Sequence, residues 1–430
     1  MMKPAAYAQT SQDAPYGLLG RSLKHSFSPE IHRRLGSFPY ALHELEPGQL
    51  EEFVLHGSWK GLNVTIPYKE TVMPLCDSLS PAASSIGCVN TLTKNSQGQI
   101  IGDNTDYYGF KYLVEDSGFD FRNAKVAVLG DGGAAKTVRA VSTALQAREI
   151  VTVSRKGPIT YDCPDAFSDA DYFINTTPVG MYPHCPDSVI DLAELSCVEG
   201  FALKGVIDIV YNPLRTRIMA QAESLRIPCV NGLKMLVAQA KRASELFQET
   251  VIDDSRLKQI HSDLTADMTN IVLIGMPGSG KSTVGREVAK ILHRPYVDLD
   301  LTVSQLAGRS IPQIFLDEGE DGFRRLETQA VFQESKRTGI VISCGGGVVT
   351  RQENLELLRQ NSFIVQLVRP IDQLQTNGRP LTQAHGVQAL YEARKGLYRQ
   401  WADASVANAG TVDEAVRSVM AVFKASLFNV

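Results

Sequence analysis

The sequence predicts an α/β protein built from parallel sheets covered by helices, and three observations predict it. β-branched runs alternate with helical segments through the middle third: KVAVL at 125–129, IVTV at 150–153, YFI at 172–174 and VIDIVY at 206–211. Buried parallel strands read as such continuous apolar runs, separated by covering helices. A glycine-rich turn, GDGGAA at 130–135, follows the first run, and a second, GMPGSGKS at 275–282, follows IVLI at 271–274. Both stand where a strand hands over to a helix, the place where α/β folds bind nucleotides.

The elements follow in order. Residues 1–15 lack an apolar signal core and read as a flexible arm. Residues 16–107 alternate as YGLLG at 16–20, YALHEL at 40–45 and KGLNVTI at 60–66, with short helices and polar loops, and form a separate α/β lobe. Residues 108–264 carry the first glycine turn and read as a Rossmann domain, closed by helices at 233–249 and 255–264. The polar stretch 265–270 reads as a linker. Residues 271–430 form a third α/β unit around the second turn, with strands near 340–343 and 363–368.

Composition bounds the function. The 430 residues suit about three domains at ~150 residues each. The chain is 43% hydrophobic and 21% charged, ordinary for soluble globular protein. A net charge of −4 is too small to imply nucleic-acid or membrane binding. No run approaches the ~18 apolar residues of a membrane span. Seven cysteines are scattered without a C-x-x-C, which favours free thiols in a reducing cytoplasm. The eight histidines show no H-x-x-x-H spacing and read as solvated or locally hydrogen-bonded side chains.

In the first turn Gly130, Gly132, Gly133 and Ala134 fit G-x-G-x-x-[GA], which lets a pyrophosphate sit on a helix N-terminus. An NAD site usually ends its second strand on an acidic residue; this one ends Ser154, Arg155, Lys156. Two cations and a hydroxyl suit the 2′-phosphate of NADP, the alternative being a solvated basic turn. Hydride chemistry needs a proton-handling partner. Lys69, in NVTIPYK at 63–69, and Asp106, in GDNTD at 102–106, can supply it, because a lysine beside a carboxylate can donate to a forming alkoxide. Spacing by itself leaves two surface charges as the alternative.

These motifs, with Ser26-Phe27-Ser28-Pro29, GCVNTL at 87–92, INTTPVGM at 174–181, DIVYNPLRT at 208–216 and NGLKMLVAQA at 231–240, together resemble shikimate dehydrogenase over residues 16 to 264. The resemblance makes residues 16–107 the substrate-binding lobe and implies NADPH-dependent reduction of 3-dehydroshikimate to shikimate. It implies that Ser26 and Ser28 hold the substrate carboxylate and that Lys69 and Asp106 are the catalytic dyad. Thr65, Asn90, Tyr211 and Gln239 would bind substrate, and Met235 would abut the nicotinamide. Serines at both 26 and 28 resemble shikimate-specific members more than those that accept quinate. Two departures stand out: Tyr107-Tyr108 follow the dyad aspartate, where glycine usually comes soon after, and Lys234 stands where glycine is common.

The second turn fits G-x-x-x-x-G-K-[ST] in full. Its backbone, with Gly278 and Gly280, cradles phosphates, Lys281 reaches the β- and γ-phosphates, Ser282 ligates Mg²⁺ and Thr283 follows at the nucleotide. ATP or GTP binding follows. Asp298 and Asp300, two apart near the end of the next strand, would share one face of it, one serving metal and the other the acceptor hydroxyl; solvated or capping aspartates are the alternative.

EGEDGFRRLE at 318–327, SCGGGVV at 343–349, GRPL at 378–381 and ARKGLY at 393–398 resemble shikimate kinase over residues 270 to 430. That implies γ-phosphate transfer from ATP to the shikimate 3-hydroxyl. Arg324 and Arg394 would clamp the carboxylate, Asp300 would bind and orient or deprotonate the attacking hydroxyl, and Asp298 would act on Mg²⁺. Gly345, Gly346 and Gly347 would let backbone approach substrate, Glu327 would orient Arg324, and Arg379 would arrive on a lid at 376–386. The stretches that recognise adenine in the family are replaced here by LQTNGRPL and VANAGTVDEA.

The leading expectation is a bifunctional enzyme in which one half makes the substrate of the other, using small molecules, NADPH/NADP+, ATP and Mg²⁺. The alternatives are quinate and another small polyol acid as substrates, or a sensor that keeps both folds without catalysis. The paired serines and paired arginines oppose the first; retention of Lys69, Asp106, Lys281 and Asp300 opposes the second.

Overall fold

The computed structural model describes residues 14–23, 26–182, 184–374 and 386–427. The arm expected at 1–15 lies almost wholly outside them. The chain divides into two compact units: one reaches to Tyr211 and includes Ile218–His261, and the other contains Asn212–Arg217 and runs on from Ser262. Among the described residues no helix is long and apolar enough to cross a membrane.

The first unit opens with β1 (Tyr16–Gly20), α1 (Ser28–Leu35), β2 (Tyr40–Glu44), α2 (Leu50–His56), β3 (Gly61–Val64), β4 (Ser78–Leu79), α3 (Pro81–Ile86), β5 (Thr91–Lys94) and β6 (Ile100–Asp103). The strands form one mixed sheet in the order β2-β1-β3-β5-β6-β4. β1 runs parallel to β2 and β3, and β5 runs antiparallel to β3 and β6.

A second sheet follows: α4 (Thr105–Asp116), β7 (Lys125–Leu129), α5 (Gly133–Ala144), β8 (Glu149–Val153), β9 (Tyr172–Asn175), α6 (Leu192–Leu195), β10 (Gly205–Asp208), α7 (Arg217–Ser224), β11 (Cys229–Asn231) and α8 (Leu233–Gln248). Its order is β11-β10-β9-β7-β8, all parallel. Ala127, Leu129, Val151, Val153 and Phe173 fill one face, while Val126, Val128, Tyr172 and Ile174 fill the other. That is the period-two alternation of a sheet buried on both sides. The chain leaves β7 to one side for β8 and returns on the other for β9, so the turn after β7 lies at the switch point where such sheets bind ligands.

Two expected boundaries fall at regular elements. The division at 107/108 falls inside α4, because Asn104 caps that helix and its axis continues through Asp116. The closing helix α8 also packs on the first sheet: the Tyr16 and Phe247 rings stack at 5.4 Å, and a Cβ on Gly61 would lie 2.1 Å from Phe247 Cδ1. The expected linker at 265–270 is the last turn of α9 (Asp254–Met268) and the first residue of β12 (Asn270–Ile274). Its polar groups are used rather than solvated. Arg294 donates to Ala266 O at 2.6 Å and Thr269 O at 2.8 Å, satisfying carbonyls at the helix end. Asn270 is fully buried, donates to Arg337 O and accepts from Ile340 N.

The second unit continues with α10 (Lys281–Ile291), β13 (Tyr296–Asp298), α11 (Leu299–Ala307), α12 (Ile311–Ser335), β14 (Val341–Ser343), α13 (Gln352–Arg359), β15 (Ser362–Val368), α14 (Val387–Trp401), β16 (Ala404–Ala407) and α15 (Val412–Leu427). The sheet order β13-β14-β12-β15-β16 is all parallel and again places the first strand, β12, at the switch point. Val272, Ile274, Ile342 and Ile364 bury on one face, and Ile271, Leu273, Val341 and Val365 on the other. The expected strand pair Asp298 and Asp300 is corrected here. Asp298 ends β13 and turns its carboxylate onto Asp300 N at 3.2 Å, capping α11. An aspartate at that position starts a helix by satisfying an N–H with no partner further back, so Asp300 lies in a first helical turn and not on a strand face.

Candidate functional site

In the first unit Lys69 sits in the turn after β3 and Asp106 in the first turn of α4. The structure brings them together: Lys69 Nζ donates to Asp106 Oδ2 at 2.6 Å. Burial works to lower the Lys69 pKa, but the charge and hydrogen bond of Asp106 outweigh it, so the net shift is upward. Lys69 is therefore held as an ammonium, a form that can donate a proton.

Asn90 and Gln239 reach the same place through Thr105. Asn90 Oδ1 accepts from Thr105 N at 2.7 Å, and Thr105 Oγ1 donates to Gln239 Oε1 at 3.3 Å. Thr65 begins the turn that carries Lys69, its N–H bonded to Leu19 O. Ser26 Oγ accepts from Ser28 N at 3.2 Å at the start of α1, and Phe27 between them meets Tyr211 edge-on at 6.0 Å. Met235 stands in the first turn of α8, where that helix meets Gly109 of α4. A Cβ on Gly109 would lie 2.7 Å from Met235 O and 2.9 Å from Gln239 Cβ. Gly109 thus supplies the close approach that Tyr107 and Tyr108 do not. Lys234, the other departure, pairs with Asp116 at 2.6 Å.

The glycine turn after β7 packs tightly at its first glycine and is open at the next two. Gly130 has φ of 113°, and a Cβ there would lie 2.7 Å from Thr176 Oγ1. Gly132 caps α5 without a side-chain bond, and Gly133 and Ala134 open the helix, so its first N–H groups are left for an anion. Ser154 is buried directly after β8, and Arg155 and Lys156 are exposed in the turn that follows it. Arg139 was not singled out by sequence: from α5 it reaches Asp131 Oδ1 at 2.8 Å and Thr152 Oγ1 at 3.4 Å. A cation on an amphipathic helix carries no sequence signal that separates this placement from a solvated one.

In the second unit Gly275, Gly278 and Gly280 all have positive φ. α10 likewise starts with no side-chain cap, on Gly280. Lys281 Nζ donates to Gly275 O and Met276 O, both at 2.9 Å, and so spans the phosphate loop. Ser282 Oγ donates to Asp298 Oδ2 at 3.0 Å, and Tyr296 OH donates to the same oxygen at 3.2 Å. This hydroxyl–carboxylate pair fits Mg²⁺, which takes one or two protein oxygens and leaves the rest to water and phosphate. Thr283, next on α10, is exposed. Asn408, beyond β16, donates to Ser279 O at 2.7 Å and ties the replaced stretch VANAG to the loop.

Arg324 and Arg394 are 4% and 6% exposed, deep enough that each needs an anion or a fixed acceptor. Arg324 donates to Glu327 Oε2 at 2.7 Å and Glu320 Oε1 at 3.0 Å. Arg394 donates to Gly346 O at 3.2 Å, an oxygen also held by Tyr398 OH. The glycines explain how these groups converge. A Cβ on Gly345 would lie 2.9 Å from both Asp300 Oδ1 and Glu327 Oε1, and one on Gly347 would lie 2.1 Å from Arg324 Nη2. Burial raises the Glu327 pKa against the opposing charge of Arg324, with Asp300 adding to the rise. Arg379 and the expected lid, up to residue 385, lie outside the described residues. Sequence reasoning passed over Asn408, Tyr398 and Glu320, because each acts on a backbone or guanidinium group brought to it by the fold.

Residues 18–92 match the family model described as shikimate dehydrogenase substrate binding domain. A shikimate dehydrogenase (NADP(+)) of Clostridium beijerinckii is 36% identical over 266 residues, covering 57% of this chain and 96% of that protein. The chain belongs to the shikimate dehydrogenase family. The dehydrogenase half also resembles a solved chorismate mutase/shikimate 5-dehydrogenase fusion protein from Clostridium acetobutylicum, at 36% identity and a TM-score of 0.53, covering 58% of this chain and 96% of that one. Shikimate dehydrogenase 1 from Peptoclostridium difficile gives 32% identity and a TM-score of 0.52, covering 58% and 97%. Beyond the dehydrogenase half, residues 277–424 match the family model described as shikimate kinase. The chain therefore joins a shikimate dehydrogenase half to a shikimate kinase domain.

Proposed function

We propose that the chain reduces 3-dehydroshikimate to shikimate with NADPH in its dehydrogenase half and phosphorylates shikimate on the 3-hydroxyl with ATP in its kinase domain. The observation that carries the reading is the Lys69–Asp106 pair at 2.6 Å, set at the start of α4 and joined through Thr105 to Asn90 and Gln239. NADPH supplies the hydride. Lys69, kept charged by Asp106, donates its proton to the carbonyl oxygen as that oxygen gains charge. Ser26, Ser28, Thr65, Asn90, Tyr211 and Gln239 hold the acid and its hydroxyls, with Met235 beside the nicotinamide. Gly130, Gly132, Gly133 and Ala134 receive the pyrophosphate, and Ser154, Arg155 and Lys156 the 2′-phosphate.

In the kinase domain Arg324 and Arg394 bind the shikimate carboxylate and Gly346 passes close to the ring. Asp300 orients the 3-hydroxyl and takes its proton. ATP with Mg²⁺ supplies the phosphoryl group; Gly278, Gly280, Lys281, Ser282 and Thr283 hold the nucleotide, Ser282 and Asp298 the ion, and Arg379 neutralises developing charge. No disulfide forms among the described cysteines, which supports work in a reducing cytoplasm. Residues 16–107 serve as the substrate lobe and the following residues to 264 as the NADP lobe, sharing α4.

A coupled assay with dehydroshikimate, NADPH and ATP-Mg²⁺ tests this. NADPH oxidation with formation of shikimate 3-phosphate is expected, and absence of both refutes the reading. Shikimate should be oxidised far more efficiently than quinate; equal efficiencies would overturn the role given to the paired serines.

A further inference from the structure

Lys69 and Asp106 are 37 residues apart in sequence yet meet at 2.6 Å. One buried side chain joins the two segments that carry them. Asn104 is 2% exposed and is the N-cap of α4. Its Oδ1 accepts from Tyr107 N at 3.3 Å, which sets the first helical turn and with it Asp106. Its Nδ2 donates to Cys88 O at 3.0 Å and to Cys88 Sγ at 3.1 Å. The next residue, Val89, donates its N–H to Lys69 O at 2.8 Å. The path from one dyad residue to the other thus runs Lys69 backbone, Val89, Cys88, Asn104 amide, α4, Asp106. Both ends of the amide are used, and both are buried.

We propose that Asn104 is a positioning residue for hydride transfer, acting through Asp106 and Lys69. The inference rests on the dehydrogenase reading above. Asn90 also bridges these segments, through its Oδ1 to Thr105 N, but that side chain is assigned to substrate. Asn104 is 2% exposed and its amide is taken up by Tyr107 N and Cys88, so it acts through the segments it holds. A displacement of roughly 1 Å between reacting groups can cost on the order of 100-fold in rate.

Capping and cross-linking use opposite ends of the amide, which lets them be separated. Serine at 104 keeps a capping oxygen and loses the donor to Cys88. Aspartate keeps the cap and faces the Cys88 carbonyl with a second acceptor. Cys88→Ala removes the thiol and leaves the carbonyl. In the full chain, Asn104→Ser should lower kcat for dehydroshikimate reduction roughly 10- to 100-fold. KM for dehydroshikimate and for NADPH should stay within about threefold, and Asn104→Asp should lose more kcat. Cys88→Ala should keep kcat within about threefold, and phosphorylation of added shikimate should be unchanged in all three. Should Asn104→Asp fail to fold, Asn104→Ser decides. Wild-type kcat in Asn104→Ser overturns the inference, as does a loss in which KM rises as much as kcat falls. A wild-type chain that reduces no dehydroshikimate overturns the dehydrogenase reading instead.

Discussion

Lys69 Nζ and Asp106 Oδ2 lie 2.6 Å apart, with the two side chains 28% and 19% exposed. Burial pulls the lysine pKa down and Asp106 pulls it further up. A raised folded-state pKa means the pair stabilises the fold below the unfolded lysine value, near ~10.4, and that this contribution is lost as pH rises through the folded value. Reduction should therefore keep its ammonium donor well into the alkaline range. In Asp106→Asn burial acts without its opponent, so the alkaline limb of kcat/KM should move to lower pH and kcat should fall roughly 100- to 10,000-fold. A pH profile of both proteins checks this; an unmoved limb would show that Asp106 does not hold the proton on Lys69.

Arg155 is exposed beside the turn that ends β8. A charge-assisted hydrogen bond is worth ~2 kcal/mol, or roughly 30-fold in affinity. Arg155→Asp should raise KM for NADPH by about that factor and leave NADH nearly unchanged, because NADH carries no 2′-phosphate. Steady-state kinetics with both dinucleotides measures the ratio.

Lys281 spans the phosphate loop, whereas Lys69 is bound to Asp106. Lys281→Ala should abolish phosphorylation of shikimate and leave reduction intact, and Lys69→Ala should do the reverse. Loss of both activities from either change, in a protein that still melts cooperatively, would contradict two separately built sites.

A Cβ on Gly347 would lie 2.1 Å from Arg324 Nη2. The φ of −104° suits alanine, so the backbone does not object. The guanidinium must move instead, away from its bonds to Glu327 and Glu320. Gly347→Ala should raise the kinase KM for shikimate by roughly 10-fold or more while the melting temperature changes little. Isothermal titration with shikimate reads the same loss directly.

Gly109 lies inside α4, where alanine normally gains about 1 kcal/mol of helix propensity. Here the added Cβ would press on Met235 O at 2.7 Å, and a backbone atom in a packed helix pair yields little. Gly109→Ala should destabilise the dehydrogenase half by about 1–3 kcal/mol. Thermal or urea unfolding gives the sign, and a stabilised protein would refute the close approach.

Sequence by itself determined much of this protein. The apolar runs became the strands β7 to β10, β12, β14 and β15; β7, β9, β10, β12 and β14 are buried on both faces and so are mostly apolar, whereas β8 lies at the edge of its sheet. The two glycine turns were legible because their backbone angles are local properties that few residues tolerate. Tertiary structure decided what depends on groups distant in the chain. Asp298 and Asp300 alternate like strand residues, yet the cap bond of Asp298 puts them in different elements. The polar run at 265–270 reads as a linker until Arg294, far along the chain, uses its carbonyls. Asn104 is one letter of GDNTD in the sequence; only the fold brings Cys88 within 3.0 Å of its amide and makes it the link between lysine and aspartate. Periodicity and turn chemistry are written locally, whereas a hydrogen bond across many residues depends on how the sheets and helices pack.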